Sequence, residues 1–262
     1  MHSKTGAAAH GVAGTLNACA LVLGAMFLAA APTMARAQGG PPLVTDDPET
    51  PGDGHWEVNG AFAGERNGGL HLAIPDVDIN YGFGDRIQLK LDLRLAAAHK
   101  PGGDWKTGLG GVQLGVKWRF VDGGESGLSV STYPQLTQPW VGSAVRRDLA
   151  EGGRQFLLPV EAAFPVGNVR LDFEAGRAFV SGSPHQWVLG AVLENACIPD
   201  SECLLELHRT SENGGSVMLV NVGLVHEINK SLKLLASVGR EFGAVPIARN
   251  EFAFYLGVQV LR

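Results

Sequence analysis

The sequence is dominated by segments of about ten residues in which apolar and polar side chains alternate. In residues 86–95 every odd position, from Ile87 to Leu95, is apolar, and every even position is polar or charged. Successive side chains of a β-strand point to opposite faces, so this pattern places the leucines on one face and the charges on the other. The sequence therefore predicts an all-β structure whose strands each have one apolar and one polar face.

About twelve such segments follow one another, separated by Gly, Pro, Asn and Asp. They lie near residues 54–64, 69–82, 86–96, 109–121, 126–137, 154–165, 168–180, 185–195, 202–211, 215–226, 231–242 and 251–262. In the second segment the alternation changes phase at Pro75, which predicts a β-bulge at that point.

Two architectures can hold such strands. A soluble β-sandwich buries the apolar faces, whereas a membrane barrel turns them to lipid and encloses the polar faces. A length near ten residues suits tilted membrane strands, and aromatic residues cluster at segment ends, as in the interfacial girdles of barrels. We predict an antiparallel transmembrane up-and-down β-barrel of about 12 strands, between roughly 10 and 14. A soluble periplasmic β-sandwich that binds a ligand is the alternative.

The N-terminus has the features of a secretory signal peptide. Lys4 precedes a long apolar stretch, residues 16–31, and Ala35-Arg36-Ala37 is a small-x-small cleavage pattern with Gln38 as the new N-terminus. A retained membrane anchor is the alternative. The predicted organisation is a signal peptide (1–37), an extended periplasmic segment (38–53) and the barrel (54–262). Export combined with a barrel predicts the outer membrane of a Gram-negative bacterium.

The connections between segments alternate in length. One set of joints is tight, while the other includes the longer stretches 97–108 and 137–153, as expected for periplasmic turns and outer loops. Cys197 and Cys203 lie in a joint that should be periplasmic but is longer than its neighbours. Two close cysteines in an exported chain predict a disulfide.

The stretch after the signal peptide carries a family resemblance. Residues 41–51 read PPLVTDDPETP, Gly54-His55-Trp56-Glu57 follows, and a later turn reads Tyr81-Gly82-Phe83-Gly84-Asp85-Arg86-Ile87. This layout resembles the outer-membrane transporters assigned to the meta-pathway of phenol degradation. The resemblance implies a barrel and the passage of small solutes, aromatic or hydrophobic ones included.

An acidic pair, Asp46 and Asp47, lies in the segment before the first strand. Two interpretations are open. The segment could form a constriction or a periplasmic docking element, or it could simply cap the lower rim of the barrel.

Charged residues on the polar parity of the strands are candidates for the lumen wall. They are Arg86, Lys90, Arg94, Lys117, Arg119, Glu57, Glu174, Glu206 and Glu251. Opposite charges across a lumen would focus a field on a passing solute. The other interpretation is a lattice of interior ion pairs that fills the barrel and stops flow.

Three arginines, Arg177, Arg209 and Arg240, break the apolar parity near the outer ends of their segments. A basic residue at this depth costs much less than one at the bilayer midplane. We predict that they contact lipopolysaccharide phosphates, with simple snorkelling as the alternative.

The sequence favours a passive channel over other classes of function. A net charge of −5 gives no basic surplus for nucleic-acid binding. His208 and His226 lie on neighbouring segments, but no Gly-x-Ser-x-Gly motif or metal-ligand spacing accompanies them, so we predict no enzyme, metal or cofactor. The expected partners are outer-membrane lipid, lipopolysaccharide, the barrel-insertion machinery and a small solute. A structural or adhesive barrel is the alternative.

Overall fold

The computed structural model describes residues 40–124, 127–244 and 249–262, and the predicted signal peptide lies outside them. These residues form thirteen antiparallel β-strands and one short helix, α1 (Gly142–Arg146). The strands are β1 (Trp56–Arg66), β2 (Leu70–Phe83), β3 (Ile87–His99), β4 (Lys106–Val121), β5 (Ser129–Thr132), β6 (Gln135–Pro139), β7 (Gln155–Val166), β8 (Val169–Val180), β9 (Gln186–Ile198), β10 (Ser201–Glu212), β11 (Gly215–Asn229), β12 (Leu232–Ala244) and β13 (Phe252–Leu261). Within these described ranges, no helix is long and apolar enough to cross a membrane.

The sheet closes into a barrel of twelve strand positions. Apart from β5 and β6, each strand pairs with its sequence neighbours, and β1 pairs with β13 along ten residues from Glu57 to Arg66. β5 and β6 both pair with β4 and with β7, so they are two parts of one strand, interrupted at Tyr133-Pro134. Closure leaves no unpaired edge in the sheet that the structure describes. An open edge would expose unpaired backbone N–H and C=O groups, which are unstable in the hydrocarbon of a membrane. The predicted barrel, with its strand number, is confirmed.

Burial in this barrel is the inverse of that in a soluble protein. Trp118, Leu189 and Leu256 are about half exposed on the outer face, while Glu161 and Glu206 are fully buried inside. In β3 the outward leucines alternate with buried Gln88 and Asp92, as the alternation predicts. A soluble sandwich would bury the leucines, so that alternative is wrong.

The two rims of the barrel differ. The terminal rim holds Trp56 and Arg262, whose backbone groups pair with each other, and its turns include residues 167–168 and 230–231. The opposite rim, here called the loop rim, carries the connection 140–154, which contains α1. The expected long loop at 97–108 is shorter, because β3 and β4 extend and leave only 100–105 between them.

The predicted disulfide Cys197–Cys203 is present, with a Cα–Cα distance of 5.7 Å. The expectation that its joint is long is wrong. β9 and β10 continue through the two cysteines, and only Pro199 and Asp200 lie between the strands. The expected bulge at Pro75 is confirmed, since the pairing of β2 with β3 shifts register between Ala73 and Asp76.

Candidate functional site: the barrel lumen and the segment that fills it

Residues 40–51, here called the lumenal segment, lie inside the barrel and not below it. Thr45 is fully buried and Asp47 is 3% exposed. The segment is not extended as expected, because Gly40 donates its backbone N–H to the carbonyl of Thr45 and closes a turn. It enters the lumen because the wall offers partners for its carboxylates, its backbone N–H groups and its one buried leucine.

The acidic pair of the lumenal segment binds a buried lysine of β4. Lys117 Nζ lies 2.7 Å from Asp46 Oδ1, donates to the Asp47 carbonyl, and lies 3.8 Å from Glu161 Oε2 across the wall. Burial alone would raise the pKa of Asp46, but the ammonium groups of Lys117 and Lys90 outweigh it and lower that pKa below its ordinary value. Asp46 is therefore ionised, and its charge fixes the segment to the wall.

Glu49 also binds the wall, nearer the terminal rim than Asp46 does. Its carboxylate accepts hydrogen bonds from Arg119 of β4 and, at 3.3 Å, from Arg170 of β8. Arg170 also donates to Asp172 at 3.0 Å. A single carboxylate of the segment thus joins two distant strands through charge-assisted hydrogen bonds, which are about twice as strong as neutral ones.

Acidic residues of the wall bind the backbone of the lumenal segment from the opposite side. Glu206 Oε1 accepts from the N–H groups of Val44 at 3.0 Å and Thr45 at 2.6 Å. Glu174 Oε2 accepts from the N–H of Asp46 at 3.1 Å. These carboxylates satisfy N–H groups that would otherwise be buried without partners, which costs about 1–3 kcal/mol each.

An apolar patch inside the lumen receives Leu43. It is formed by inward-facing side chains of four consecutive strands: Val192, Leu204, Val225 and Leu235. Gly190 of β9 lies directly against the side chain of Thr45, and a β-carbon at position 190 would lie 2.3 Å from Thr45 Oγ1. Only glycine therefore fits at position 190 while the segment is docked.

Where β2 and β3 line the lumen, the charged side chains of the wall pair with one another and not with the lumenal segment. Lys90 lies 3.4 Å from Asp78, and Arg94 contacts Asp76 and Asp92 at 3.3 and 3.2 Å. The pairs with Asp78 and Asp76 join β2 to β3 and the pair with Asp92 lies within β3, so the charges are matched locally and do not face each other across the lumen.

Tyr133 is a further buried residue of the lumen. It is fully buried, its hydroxyl accepts a hydrogen bond from Gln88 at 3.1 Å, and Lys117 Nζ lies 4.7 Å from its ring centroid. The aromatic ring at the interruption between β5 and β6 thus supports the lysine that holds the lumenal segment.

The loop at the opposite rim also folds inward. Ala144 of α1 and Leu149 are buried against Ala98 of β3. The wall beside them is glycine-rich, and a β-carbon at Gly110 would lie 3.0 Å from the Leu149 carbonyl oxygen. Lys100 donates to Asp148 at 2.8 Å, and this hydrogen bond lowers the pKa of Asp148. The lumen is therefore narrowed at both ends.

The structure brings some of the predicted lumen residues together and leaves others apart. Lys117, Arg119, Glu174 and Glu206 meet at the lumenal segment, while Lys90 and Arg94 pair along β2 and β3. Glu57 also faces inward and accepts from Asn59 at 3.2 Å. Arg86 lies in an exposed turn 4.0 Å from Asp122, and Glu251 precedes β13, 3.5 Å from Arg66. These last two do not line the lumen.

Sequence reasoning missed Arg170, Glu161 and Tyr133 as lumen residues. Arg170 and Glu161 share the inward parity of their strands, and that signal could have identified them. Tyr133 lies where the strand is interrupted, so parity gives no guide there.

The histidines noted in the sequence have separate environments. His208 lies 3.3 Å from Thr45 Oγ1, beside the lumenal segment, whereas His226 Nδ1 lies 2.8 Å from Ser201 Oγ near the terminal rim. Ser201 Oγ also lies 3.3 Å from the Pro199 carbonyl. In the parts of the chain that the structure describes, no group of three or more His, Cys, Asp or Glu side chains could hold a metal ion. The absence of an enzyme activity and of a cofactor stays a prediction.

Solved structures with the same architecture are outer-membrane channels and porins. A COG4313 outer membrane channel from Pseudomonas putida F1 is 15% identical, with a TM-score of 0.63 over 84% of this chain and 100% of that one. The chain has the fold of an outer-membrane β-barrel. The KdgM porin (12% identity, TM-score 0.56) and the NanC porin (8% identity, TM-score 0.54) each match over 78% of this chain and 98% of their own.

No protein-family model and no curated protein matches the chain. The resemblance to the transporters of the phenol meta-pathway therefore stays a prediction, while the barrel fold that it implied is confirmed.

Proposed function

We propose that this protein is an outer-membrane channel that lets small solutes diffuse through its lumen, with the terminal rim in the periplasm. The observation that carries the proposal is the closed barrel with an apolar outer face and a polar, charged interior. Such a surface is stable only with hydrocarbon around it. The similarity to channels and porins supports the same conclusion through the fold.

The lumenal segment occupies the path, so a solute can pass only when this segment moves. Its displacement would uncover the apolar patch of Val192, Leu204, Val225 and Leu235 beside charged side chains. A surface that is apolar in one part and charged in another suits small solutes with an aromatic or hydrophobic group. The phenol-pathway resemblance points to the same solute class.

Liposome swelling tests the proposal. We expect vesicles that contain the mature chain to swell in glucose and at least as fast in phenyl glucoside, although the second solute is larger, because the patch favours its ring. Protein-free vesicles and vesicles with boiled protein are the controls. Electrophoresis with and without boiling checks that the barrel is intact.

The second candidate is a structural or adhesive barrel, and it is favoured by the paired charges that fill the interior. Vesicles with an intact barrel that swell in neither sugar would support it and contradict the channel.

A further inference from the structure

The three arginines on the apolar parity form one belt around part of the outer face. Arg177, Arg209 and Arg240 lie on β8, β10 and β12, and each stands eight residues after the first residue of its strand. The strands are tilted in a barrel, so equal distances from the terminal rim correspond to a similar depth. Neighbouring strands lie about 4.8 Å apart, which separates adjacent members of this arginine belt by roughly 10 Å.

Aromatic and hydroxyl groups hold these guanidinium groups at the surface. The guanidinium carbon of Arg177 lies 4.7 Å from the ring centroid of Trp187, and that of Arg240 lies 5.6 Å from the ring centroid of Phe242. Arg209 Nη2 donates to Ser216 Oγ at 3.3 Å. In the described parts of the chain, none of the three has a carboxylate within ion-pair distance. The belt therefore presents oriented cations without an ion-pair partner among the residues that the structure describes.

A groove on the outer face lies between the belt and the loop rim. It has a volume of about 570 Å³, and Phe156 and Phe179 line it together with Arg154 and His185 at its edge. Phe179 lies two residues beyond Arg177 on the same outward face of β8. The groove is therefore farther from the terminal rim than the belt, and the acyl chains of a lipid whose phosphates contact the belt would extend away from it.

We propose that the arginine belt binds the phosphorylated headgroup of lipopolysaccharide, whose acyl chains then lie along the apolar outward positions nearer the terminal rim. Guanidinium groups bind phosphate through two parallel hydrogen bonds, and stacking on Trp187 leaves the edge of Arg177 free for that contact. On the same strands, outward positions nearer the terminal rim are apolar, as Phe173, Leu205 and Leu234 show. The cations thus lie only at the end where the outer leaflet meets the barrel. The inference rests on the proposed outer-membrane location.

Lipid binding by the purified, delipidated barrel tests this inference apart from transport. The change is the triple variant R177A/R209A/R240A. We expect its affinity for lipopolysaccharide to fall by about tenfold or more, since each cation facing an anionic lipid surface adds to binding. The matched control R86A/K230A/R262A removes as many cations from the terminal rim and should bind like the wild type. Heat-dependent mobility checks folding of each variant.

Two further arms separate the sources of the binding. The variant R177K/R209K/R240K keeps the charges but loses the planar guanidinium groups, so we expect a smaller but clear loss of affinity. Wild-type protein should bind lipopolysaccharide more tightly than dephosphorylated lipopolysaccharide or phosphatidylglycerol vesicles. Unchanged affinity in the folded alanine variant would overturn the proposal, and so would equal binding to phosphatidylglycerol. Loss of binding with intact swelling activity would support the belt without bearing on the channel.

Discussion

Deleting residues 40–51 from the mature chain is expected to raise the single-channel conductance by about tenfold or more, because a twelve-stranded lumen is wide enough to hold water once its contents are removed. The barrel should still form, since its closure between β1 and β13 uses no residue of the lumenal segment. Planar-bilayer recordings of the refolded variant measure the change. Water would then solvate Lys117, Glu174 and Glu206 in place of the segment.

A replacement of the same twelve positions by glycine and serine is the matched control. It keeps the length of the chain but removes the carboxylates and Leu43, so it should conduct like the deletion. If both variants conduct like the wild type, then Tyr133 and the wall close the lumen by themselves, and the segment is not the barrier.

Changing Lys117 to Met is expected to release the lumenal segment. The substitution keeps most of the side-chain volume but leaves the carboxylates of Asp46 and Glu161 buried without their cation. Breaking one side of a buried ion pair costs about 3–5 kcal/mol. About 3 kcal/mol of that cost is enough to raise the undocked fraction roughly 100-fold. A Thr45→Cys background measures this fraction as the rate of labelling by a small thiol reagent, because position 45 is fully buried while the segment is docked.

Lys90→Met is the control for this prediction. Lys90 is also a buried lysine, but its partner at 3.4 Å, Asp78, belongs to the wall, and its charge acts on Asp46 only from beyond ion-pair distance. Labelling in this variant should change by much less than 100-fold. Equal labelling rates in the Lys117 and Lys90 variants would mean that the ion pair with Asp46 does not hold the segment.

The strands were predictable because their physics is local. In β3 the face on which a leucine or a charged residue lies depends only on whether its position is odd or even. Strands that cross a membrane are long, so the alternation repeats often enough to be recognised. Pro75 was predictable as a bulge for the same reason. The Cys197–Cys203 joint was misjudged because strand ends depend on pairing with β11 and β8, which no single segment encodes.

The position of the lumenal segment could not be predicted from its sequence. Residues 40–51 have no periodicity, and their partners lie far along the chain, Lys117 at 71 positions from Asp46 and Glu206 at 161 positions from Thr45. Asp46 and Asp47 were recognisable as an acidic pair, but the same pair suits a cap outside the barrel. The segment lies inside because the wall offers space beside Gly190 and an apolar patch for Leu43, and both exist only after the barrel has closed.

A reversible crosslink between the lumenal segment and the wall tests the central claim most directly. A β-carbon at position 190 would lie 3.0 Å from Thr45 Cβ, so T45C/G190C needs a shift of only about 0.5–1 Å to form a disulfide. Liposome swelling is compared between oxidised and reduced protein, with T45C alone reporting any effect of the native disulfide. We expect no swelling when the bond is formed and swelling at least as fast as that of the wild type when it is reduced, because an unbonded side chain at position 190 also weakens docking of the segment. Equal swelling in the two states would show that solutes do not pass where residues 40–51 lie.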